Sequence, residues 1–268
     1  MVGGGTVIEM KSIPKDTGSD RSLWCRYEMK YVISESKAAA IVQFIEPYLK
    51  LDLYCRSQPS GSYPIVSLYL DSDNFQLCRE SLGGLLKRFK LRIRSYSDDL
   101  DYPRFLEIKR RANTVIIKSR ARIMPNDVSA LLSGQYIPPL QSHQTEADTI
   151  KQFQLYMKGI GARPKILIRY MRQAYEGGDE NRVRVTFDRQ LDYKICGEPA
   201  VSLNGSGWQN NLSGVILEIK FTGRYPAWLG RMVQYFDLQH RSMSKYVTSM
   251  EKAFRLGFCS TKERLFMD

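Results

Sequence analysis

Apolar and polar residues alternate along much of the chain, and most of the polar members are cations. Residues 89–94, Phe-Lys-Leu-Arg-Ile-Arg, show the pattern in its strictest form. Side chains of a strand point to opposite faces with a period of two, so this segment has one cationic and one apolar face. Similar alternation recurs at 26–31, 106–109, 117–122, 182–188 and 217–221. The pattern predicts a sheet whose polar face carries Lys, Arg and a few Glu.

The complete pattern predicts about eight strands and four or five helices in a single α+β domain. Strands are expected at 24–33, 65–71, 87–96, 104–110, 114–123, 165–175, 181–189 and 215–221. Helices are expected at 37–49, 125–133, 145–159, 227–236 and 242–256. Residues 1–22 lack periodicity and are predicted to form a flexible tail, and the domain is expected to span 23–260.

Composition adds a strong positive charge to this picture. The 268 residues include 40 Lys and Arg against 28 Asp and Glu, which gives a formal net charge of +12. A hydrophobic share of 43% is enough to build a core and excludes wholesale disorder. Nucleic acid, an anionic membrane or another polyanion is the expected partner of such a protein.

Other compositional features exclude several classes of protein. No apolar run is long enough for a membrane-spanning helix, and the first 20 residues do not resemble a secretory signal. The five cysteines form no Cys-x-x-Cys pair, which argues against a zinc site or a disulfide framework and favours a cytoplasmic location. With only two histidines, His-based metal or triad chemistry is not expected.

The cationic face itself points to phosphate. Like charges side by side on a sheet repel one another, so a face of Lys and Arg indicates an anion that normally lies among them. If the strands close into a barrel with this face inward, they form a lined tunnel. Guanidinium groups bind phosphate oxygens bidentately and ammonium groups act as point charges, so the tunnel would suit a run of phosphates.

Eight short motifs occur in the order found in a known family. They are Glu28 with Lys30, and the segments 90–94, 107–109, 118–120, 170–175, 182–184, 217–220 and 244–246. From about 26 to 256 the chain resembles the VTC domain, the catalytic domain of the vacuolar transporter chaperone polyphosphate polymerase. That domain belongs to the triphosphate tunnel metalloenzyme superfamily.

The resemblance implies an eight-stranded antiparallel β-barrel tunnel with peripheral helices, which binds a nucleoside triphosphate or polyphosphate with a divalent metal, Mn²⁺ or Mg²⁺. The catalytic residues it implies are Lys30, Arg92, Arg94, Lys109, Lys118, Arg172, Arg184, Glu218 and Lys245. Glu218 would be the metal ligand. The substrate-binding residues it implies are Lys90, Arg120, Lys220, Glu28, Glu107 and Tyr170. Where the superfamily pattern on the first strand is Glu-x-Glu-x-Lys, this chain has Arg26 in place of the first Glu.

The function that follows is a polyphosphate polymerase that transfers the γ-phosphoryl group of ATP to a growing chain. ATP and inorganic polyphosphate are its expected partners, no nucleic acid is expected, and protein or membrane partners stay open. Three alternatives also remain open: a triphosphatase of the same fold, a non-catalytic polyphosphate-binding protein, and a module that binds nucleic acid or an anionic surface. The last ranks lowest because Phe89, Leu91 and Ile93 alternate with the cations as buried residues do.

Individual residues also have purely structural interpretations. Glu107 and Glu218 could form cross-strand ion pairs instead of binding substrate or metal. Asp71 and Asp188 are interpreted as turn or capping residues at strand ends. Tyrosines 69, 170 and 175 could stack on an adenine, although aromatic residues in strands usually fill packing space.

Overall fold

A computed structural model describes residues 26–113, 115–140, 144–178 and 182–257. The strands are β1 (Arg26–Ile33), β2 (Lys50–Leu51), β3 (Tyr63–Asp71), β4 (Lys87–Ser95), β5 (Arg104–Ala112), β6 (Val115–Ile123), β7 (Arg163–Glu176), β8 (Val183–Ile195), β9 (Gln209–Asn210) and β10 (Val215–Thr222). The helices are α1 (Glu35–Ile45), α2 (Leu53–Arg56), α3 (Gln76–Leu82), α4 (Asp127–Leu132), α5 (Gln144–Gly159), α6 (Ala227–Tyr235) and α7 (Lys245–Arg255). This is the α+β class predicted from the sequence; the expected tail at 1–22 lies outside the described residues.

The strands form one antiparallel sheet, but not the closed eight-stranded barrel that the resemblance implied. Ten strands belong to it, and eight follow one another in the order β1-β10-β8-β7-β3-β4-β5-β6. The two short strands attach at the side, β2 to β7 and β9 to β8. Among the described residues, β1 and β6 do not pair with each other. One reason is that the backbone N–H of Arg241 donates to the carbonyl oxygen of Lys30 at 2.9 Å and so occupies part of the free edge of β1.

The open sheet nevertheless curls until strands far apart in the hydrogen-bonded order meet. Lys109 Nζ on β5 lies 3.8 Å from Glu28 Oε2 on β1. The segment before α7 bridges the same gap, since Lys90 Nζ donates to Ser244 Oγ at 2.6 Å and Lys30 Nζ donates to the carbonyl of Met243 at 3.2 Å. The sheet therefore has a concave face on which side chains from both ends of the strand order converge.

Helices cover the convex face and part of the concave one. Helix α5 packs on β5 and β6, with Ile150 and Phe153 in one core cluster with Leu106 and Ile108. Helices α1 and α6 pack on β1, β8 and β10 in a second cluster. Helix α7 joins β3 and β7 in a third cluster, in which Tyr246 is buried. No helix in the part of the chain that the structure describes has both the length and the apolar content that a bilayer crossing requires.

The predicted strands are all present, with shifted ends, and two short helices had not been predicted. β8 continues to Ile195, six residues past the expected end at 189. Helix α3 follows Phe75, which has a φ of 54° and no side-chain cap, and two residues just upstream cap it instead. The backbone N–H of Gln76 donates to Ser72 Oγ at 3.0 Å, and those of Leu77 and Cys78 donate to the carboxylate of Asp71 at 2.9 Å. Asp71 is thus a capping residue, as its position at a strand end indicated.

The close approach of β10 to β1 depends on Gly214. Its φ is +121°, and a Cβ there would lie 2.8 Å from the carbonyl oxygen of Ile33, which pairs in register with Val215. We expect Gly214→Ala to lower the free energy of unfolding by about 3 kcal/mol, because the left-handed strain of roughly 1 kcal/mol adds to a backbone clash. Gly134→Ala is the matched control: its φ is +83° and nothing lies within 4 Å of the added Cβ, so only the strain should appear. Urea titration measures both variants, and equal losses would contradict the close approach.

Candidate active site

The concave face of the sheet carries the cations that the sequence pattern had placed on one side. On β4, Leu91 and Ile93 are fully buried in the convex core, so the alternating cations point the other way. We call this surface the cationic face; its Lys and Arg members are Lys30, Lys90, Arg92, Arg94, Lys109, Lys118, Arg120, Arg172, Arg184, Lys220 and Lys245. The structure thus brings together every Lys and Arg that was predicted as a site residue, while the roles assigned to them stay predictions.

Glu107 is a buried carboxylate surrounded by four of these cations. It is 1% exposed; Arg92 Nε donates to its Oε2 at 2.6 Å. Its Oε1 has no hydrogen bond but lies 3.5 to 3.9 Å from charged nitrogens of Arg94, Lys118 and Arg120. Burial alone would raise the pKa of Glu107, yet the four cations together hold it well below its usual range. Glu107 is therefore an anion that fixes the positions of the cations around it.

Asp188 has the same role on the other side of the cationic face. Arg172 donates to both its oxygens, at 2.7 and 2.8 Å, and Lys245 Nζ lies 2.6 Å from Oδ2. Burial would raise the pKa of Asp188, but Arg172 and Lys245 lower it overall. The ring of Tyr170 lies beside both cations, 5.3 Å from the Arg172 guanidinium carbon and 4.8 Å from Lys245 Nζ. Tyr170 thus contacts the cations directly and packs in the third core cluster.

This finding corrects the interpretation of Asp188 as a turn or capping residue. It lies inside β8, because that strand continues beyond it, and it is 1% exposed. The alternation from 182 to 188 did contain the signal, since Asp188 has the same parity as Arg184. The partner Lys245 could not be found by periodicity, because it comes from the first residue of α7.

Glu28 and Glu218 form a third acidic group, on β1 and β10. In register, Glu28 faces Lys220 and Glu218 faces Lys30. Lys30 Nζ and Lys220 Nζ each approach one of these carboxylates to 2.6 Å. Burial and mutual repulsion would raise the pKa of Glu28, but the surrounding lysines lower it, and the pKa of Glu218 is held well below its usual range in spite of burial.

At the remaining end of the face, Arg184 is held by two carboxylates. Its guanidinium donates to Asp52 Oδ2 and to Glu176 Oε2, both at 2.7 Å. Asp52 also caps α2 by accepting from the backbone N–H of Cys55 at 2.7 Å. Asp52 was not predicted as a site residue, because it caps a short helix outside any alternating strand.

The lysines of the face show where its charge is least compensated. Lys90, Lys109 and Lys118 stand directly opposite one another on β4, β5 and β6. Burial, with repulsion from Lys109 and Lys30, lowers the pKa of Lys90 to about 8 in spite of an opposing contribution from Tyr69. Burial likewise lowers the pKa of Lys109. This row of lysines is where an added anion would relieve the most repulsion.

The tyrosines considered for adenine stacking are used in packing or in contacts with cations. Tyr69 stacks on Tyr246 at 4.9 Å, and Tyr175 packs against Phe187 in the second core cluster. Burial would raise the pKa of Tyr69, but Arg92 and Arg94 bring it down to about 8. Its hydroxyl accepts from Arg92 at 3.0 Å, so Tyr69 helps to orient that guanidinium.

The acidic residues fit a divalent metal only if phosphate completes its coordination. Within the described residues, no group of three His, Cys, Asp or Glu is arranged to hold an ion. Glu28 and Glu218 are close enough to raise each other's proton affinity, as a pair of neighbouring carboxylates does. Mg²⁺ is often held by one or two carboxylates together with substrate phosphates. This pair therefore fits such a shared site, and not one built from protein ligands alone.

The chain matches one protein family and resembles several solved structures. The family described as "VTC domain" matches residues 25–254, which confirms the resemblance seen in the sequence. No protein of curated function matches the chain.

Among solved structures, a candidate adenylate cyclase from Bacillus halodurans has 11% identity and a TM-score of 0.47, with 82% of this chain and 95% of that chain covered. The PH1819 protein from Pyrococcus horikoshii has 11% identity and a TM-score of 0.44, with 86% and 99% covered. An adenylyl cyclase candidate from Hippeastrum, reported with a dominant triphosphatase activity, has 14% identity and a TM-score of 0.45, with 86% and 95% covered.

We expect Glu107→Gln to destabilise the protein by about 3 kcal/mol, because the change leaves buried cations without their anion. The folded-state pKa of Glu107 is lowered, so its contribution is complete above about pH 5 and is lost as the pH falls through that lowered pKa. Urea titration between pH 7 and pH 3 should show the gap between wild type and variant closing only in acid. Glu35→Gln, at an exposed ion pair with Arg189, should change stability by less than about 0.5 kcal/mol. A Glu107 variant as stable as this control would contradict the anchoring role.

Binding of tripolyphosphate should depend on the protonation of Lys90. Its pKa of about 8 means that it loses its charge as the pH rises through that value, so affinity should fall. Lys90→Arg keeps the charge at all these pH values. Since the ligand titrates equally in both experiments, wild type should lose up to about tenfold more affinity than Lys90→Arg between pH 8 and 9. Isothermal titration calorimetry measures this, and parallel pH profiles would show that Lys90 does not titrate at the site.

Proposed function

Because the chain belongs to the VTC domain family, we propose that it is an ATP:polyphosphate phosphotransferase, a polymerase that transfers the γ-phosphoryl group of ATP to the end of an inorganic polyphosphate chain. The observation that carries the proposal is that Glu107, Asp188 and Glu218 are each already matched by at least two cations. The cations of the face still outnumber its carboxylates, so a polyanion is needed to balance it.

The residues of the cationic face suit both phosphate groups and their movement. Arg92 and Arg172 are held through one side of the guanidinium by carboxylates, which pre-orients these planar groups to receive phosphate oxygens. Lysines contribute point charges that tolerate a ligand sliding past them. A face with both types can hold a chain of identical phosphates in successive positions.

The transfer needs positioning and charge neutralisation more than a protein nucleophile. The bond between the γ-phosphorus and the β,γ-bridging oxygen of ATP breaks, and a terminal oxygen of the polyphosphate forms a new bond to that phosphorus. ADP leaves with the electron pair of the broken bond. The attacking oxygen is already ionised, so no proton has to be removed.

The absence of a proton to remove from the attacking phosphate favours transfer over hydrolysis. A water molecule must lose a proton as it attacks, and a general base for this should have a pKa near the operating pH. Glu107, Asp188 and Glu218 all have lowered pKa values and are therefore weak bases. Lys90 and Tyr69, whose pKa values are about 8, could take up that proton, but a phosphate acceptor needs no base at all, which supports a polymerase.

In this proposal Glu218, with Glu28, would hold Mn²⁺ or Mg²⁺ together with the phosphates. A bound divalent ion would neutralise charge on the phosphate oxygens and polarise the leaving group. Lys30 and Lys220 now neutralise these carboxylates, so metal binding would require both lysines to turn toward phosphate oxygens instead. A cytoplasmic location, where ATP is available, belongs to the same proposal.

Incubation of the purified protein with ATP, Mn²⁺ and a short polyphosphate primer should yield ADP and longer polyphosphate in matching amounts. Gel electrophoresis and ³¹P NMR measure the two products. Glu218→Gln should reduce the rate by about 10²-fold or more, as expected when a group that stabilises charge in the transition state is lost. The matched control Glu35→Gln lies outside the cationic face and should keep the wild-type rate.

The other outcomes separate the alternatives. Release of inorganic phosphate without longer chains would identify a triphosphatase. Tight binding of polyphosphate with no ADP above the Glu218→Gln level would identify a binding protein. Binding of oligonucleotides that tripolyphosphate does not displace would indicate a nucleic-acid module.

A further inference from the structure

One end of the β4–β5–β6 segment exposes a group of aliphatic side chains. Leu85 and Leu86 precede β4, and Val115, Ile116 and Ile117 begin β6; we call these five residues the apolar tip. Their exposed fractions range from 46% at Ile117 to 65% at Leu86. The backbone N–H of Asn113, in the turn between β5 and β6, donates to the carbonyl of Leu86 at 2.9 Å and holds the two parts together. Val115 and Ile117 share the parity of the buried Ala121, and Ile116 shares that of Lys118, so the aliphatic side chains emerge on both faces at this end of the sheet. A cluster of exposed aliphatic side chains of this kind marks an interaction site.

Four cations surround the apolar tip. Lys87, Arg88, Arg110 and Arg111 are its neighbours on β4 and β5, and the last two pair in register with Ile117 and Ile116. Among the described residues none of these four forms an ion pair with a carboxylate; Arg110 and Arg111 donate to Ser119 Oγ and to the carbonyl of Asn113. Neither 81–97 nor 108–126 contains an Asp or Glu. Among the described residues the surface is thus aliphatic at its centre with these cations at its edge, and Glu80, whose carbonyl accepts from the N–H of Leu85 at 3.0 Å, is the acid that adjoins it in sequence.

This combination identifies the chemistry of the occupant. A second copy of the chain would bring the same cations against one another, which is unfavourable. Single-stranded nucleic acid is bound on aromatic residues that stack with bases, and the apolar tip has none; duplex nucleic acid is held through its phosphates and would leave the aliphatic side chains in water. An anionic lipid bilayer matches both parts, because aliphatic side chains enter the acyl boundary while Lys and Arg meet the headgroups.

We propose that the apolar tip docks the protein on an anionic membrane surface. The adjoining positions of the same three strands carry Lys90, Lys109 and Lys118, about 7 Å further along. Docking would therefore hold one end of the cationic face against the lipid headgroups. The inference needs no catalytic activity and goes beyond the proposed polymerase reaction.

Vesicle flotation tests the proposal, with the intact chain, phosphatidylcholine vesicles, and vesicles that contain phosphatidylglycerol as well. Wild type should float with the anionic vesicles only, and less so at high salt. Leu86→Ser combined with Ile117→Ser should reduce the partition coefficient about tenfold or more, because both side chains lose their place in the bilayer. Leu53→Ser combined with Leu100→Ser is the matched control, since these leucines are 70% and 66% exposed and lie outside the tip.

Three results would overturn the proposal. The first is a wild-type protein that does not float with anionic vesicles. The second is flotation that the Leu86 and Ile117 substitutions leave unchanged, which would assign the attraction to other cations. The third is a wild-type dimer, measured by light scattering, that the same substitutions dissociate. Thermal unfolding of each variant checks that it is folded. ATP turnover by the tip variant is measured separately, so that a loss of flotation is not confused with a loss of polymerase activity.

Discussion

The structure depends on placing carboxylates among like-charged strands. A sheet face made only of Lys and Arg would repel itself, and Glu107, Asp188 and Glu218 each offset that repulsion locally. Each carboxylate is shared between strands or between a strand and α7, so the ion pairs also fix how the sheet curls. The compensation is uneven, however. The row formed by Lys90, Lys109 and Lys118 contains no acid of its own and relies on Glu28 and Glu107 from neighbouring positions. The protein therefore holds its charged side chains firmly, and the repulsion that is left is concentrated on this row of lysines.

The strict alternation of β4 allowed the sequence to predict which residues face the site. A period of two is a local property, and burial of Leu91 and Ile93 on one side places Arg92 and Arg94 on the other. Closure of the sheet is not local, because it depends on what lies beside the first and last strands. The backbone of Arg241 lies along β1, although Arg241 is some two hundred residues away from β1 in sequence. No periodic pattern in the sequence predicts this contact. The cap of α3 by Asp71, in contrast, joins residues only six and seven positions apart, and the place of Asp71 at a strand end already indicated it.

Helix α7 shows how a residue outside the sheet becomes part of the site. Ser244 caps the helix and also accepts from Lys90, while the preceding carbonyl of Met243 accepts from Lys30. These contacts hold the start of the helix over the gap between β1 and β4. Lys245 then forms an ion pair with Asp188. The negative charge of Asp188 compensates for the unfavourable position of a cation at a helix N-terminus. The sequence motif at 244–246 indicated a functional position, but only the fold explains why a lysine is tolerated there.

The cationic face and the apolar tip share strands, which links their electrostatics. Residues two positions apart on β4, β5 and β6 lie about 7 Å from each other, just within the Debye length of about 8 Å at physiological salt. A polyphosphate on the row of Lys90, Lys109 and Lys118 would neutralise charge next to Arg88 and Arg111, and so weaken the attraction of the tip for anionic lipid. The aliphatic contribution of Leu86 and Ile117 would be unaffected, because it depends on buried apolar area and not on charge. Polyphosphate and the membrane would therefore compete through charge alone. The aliphatic residues would determine whether the apolar tip stays docked while polyphosphate occupies the cationic face.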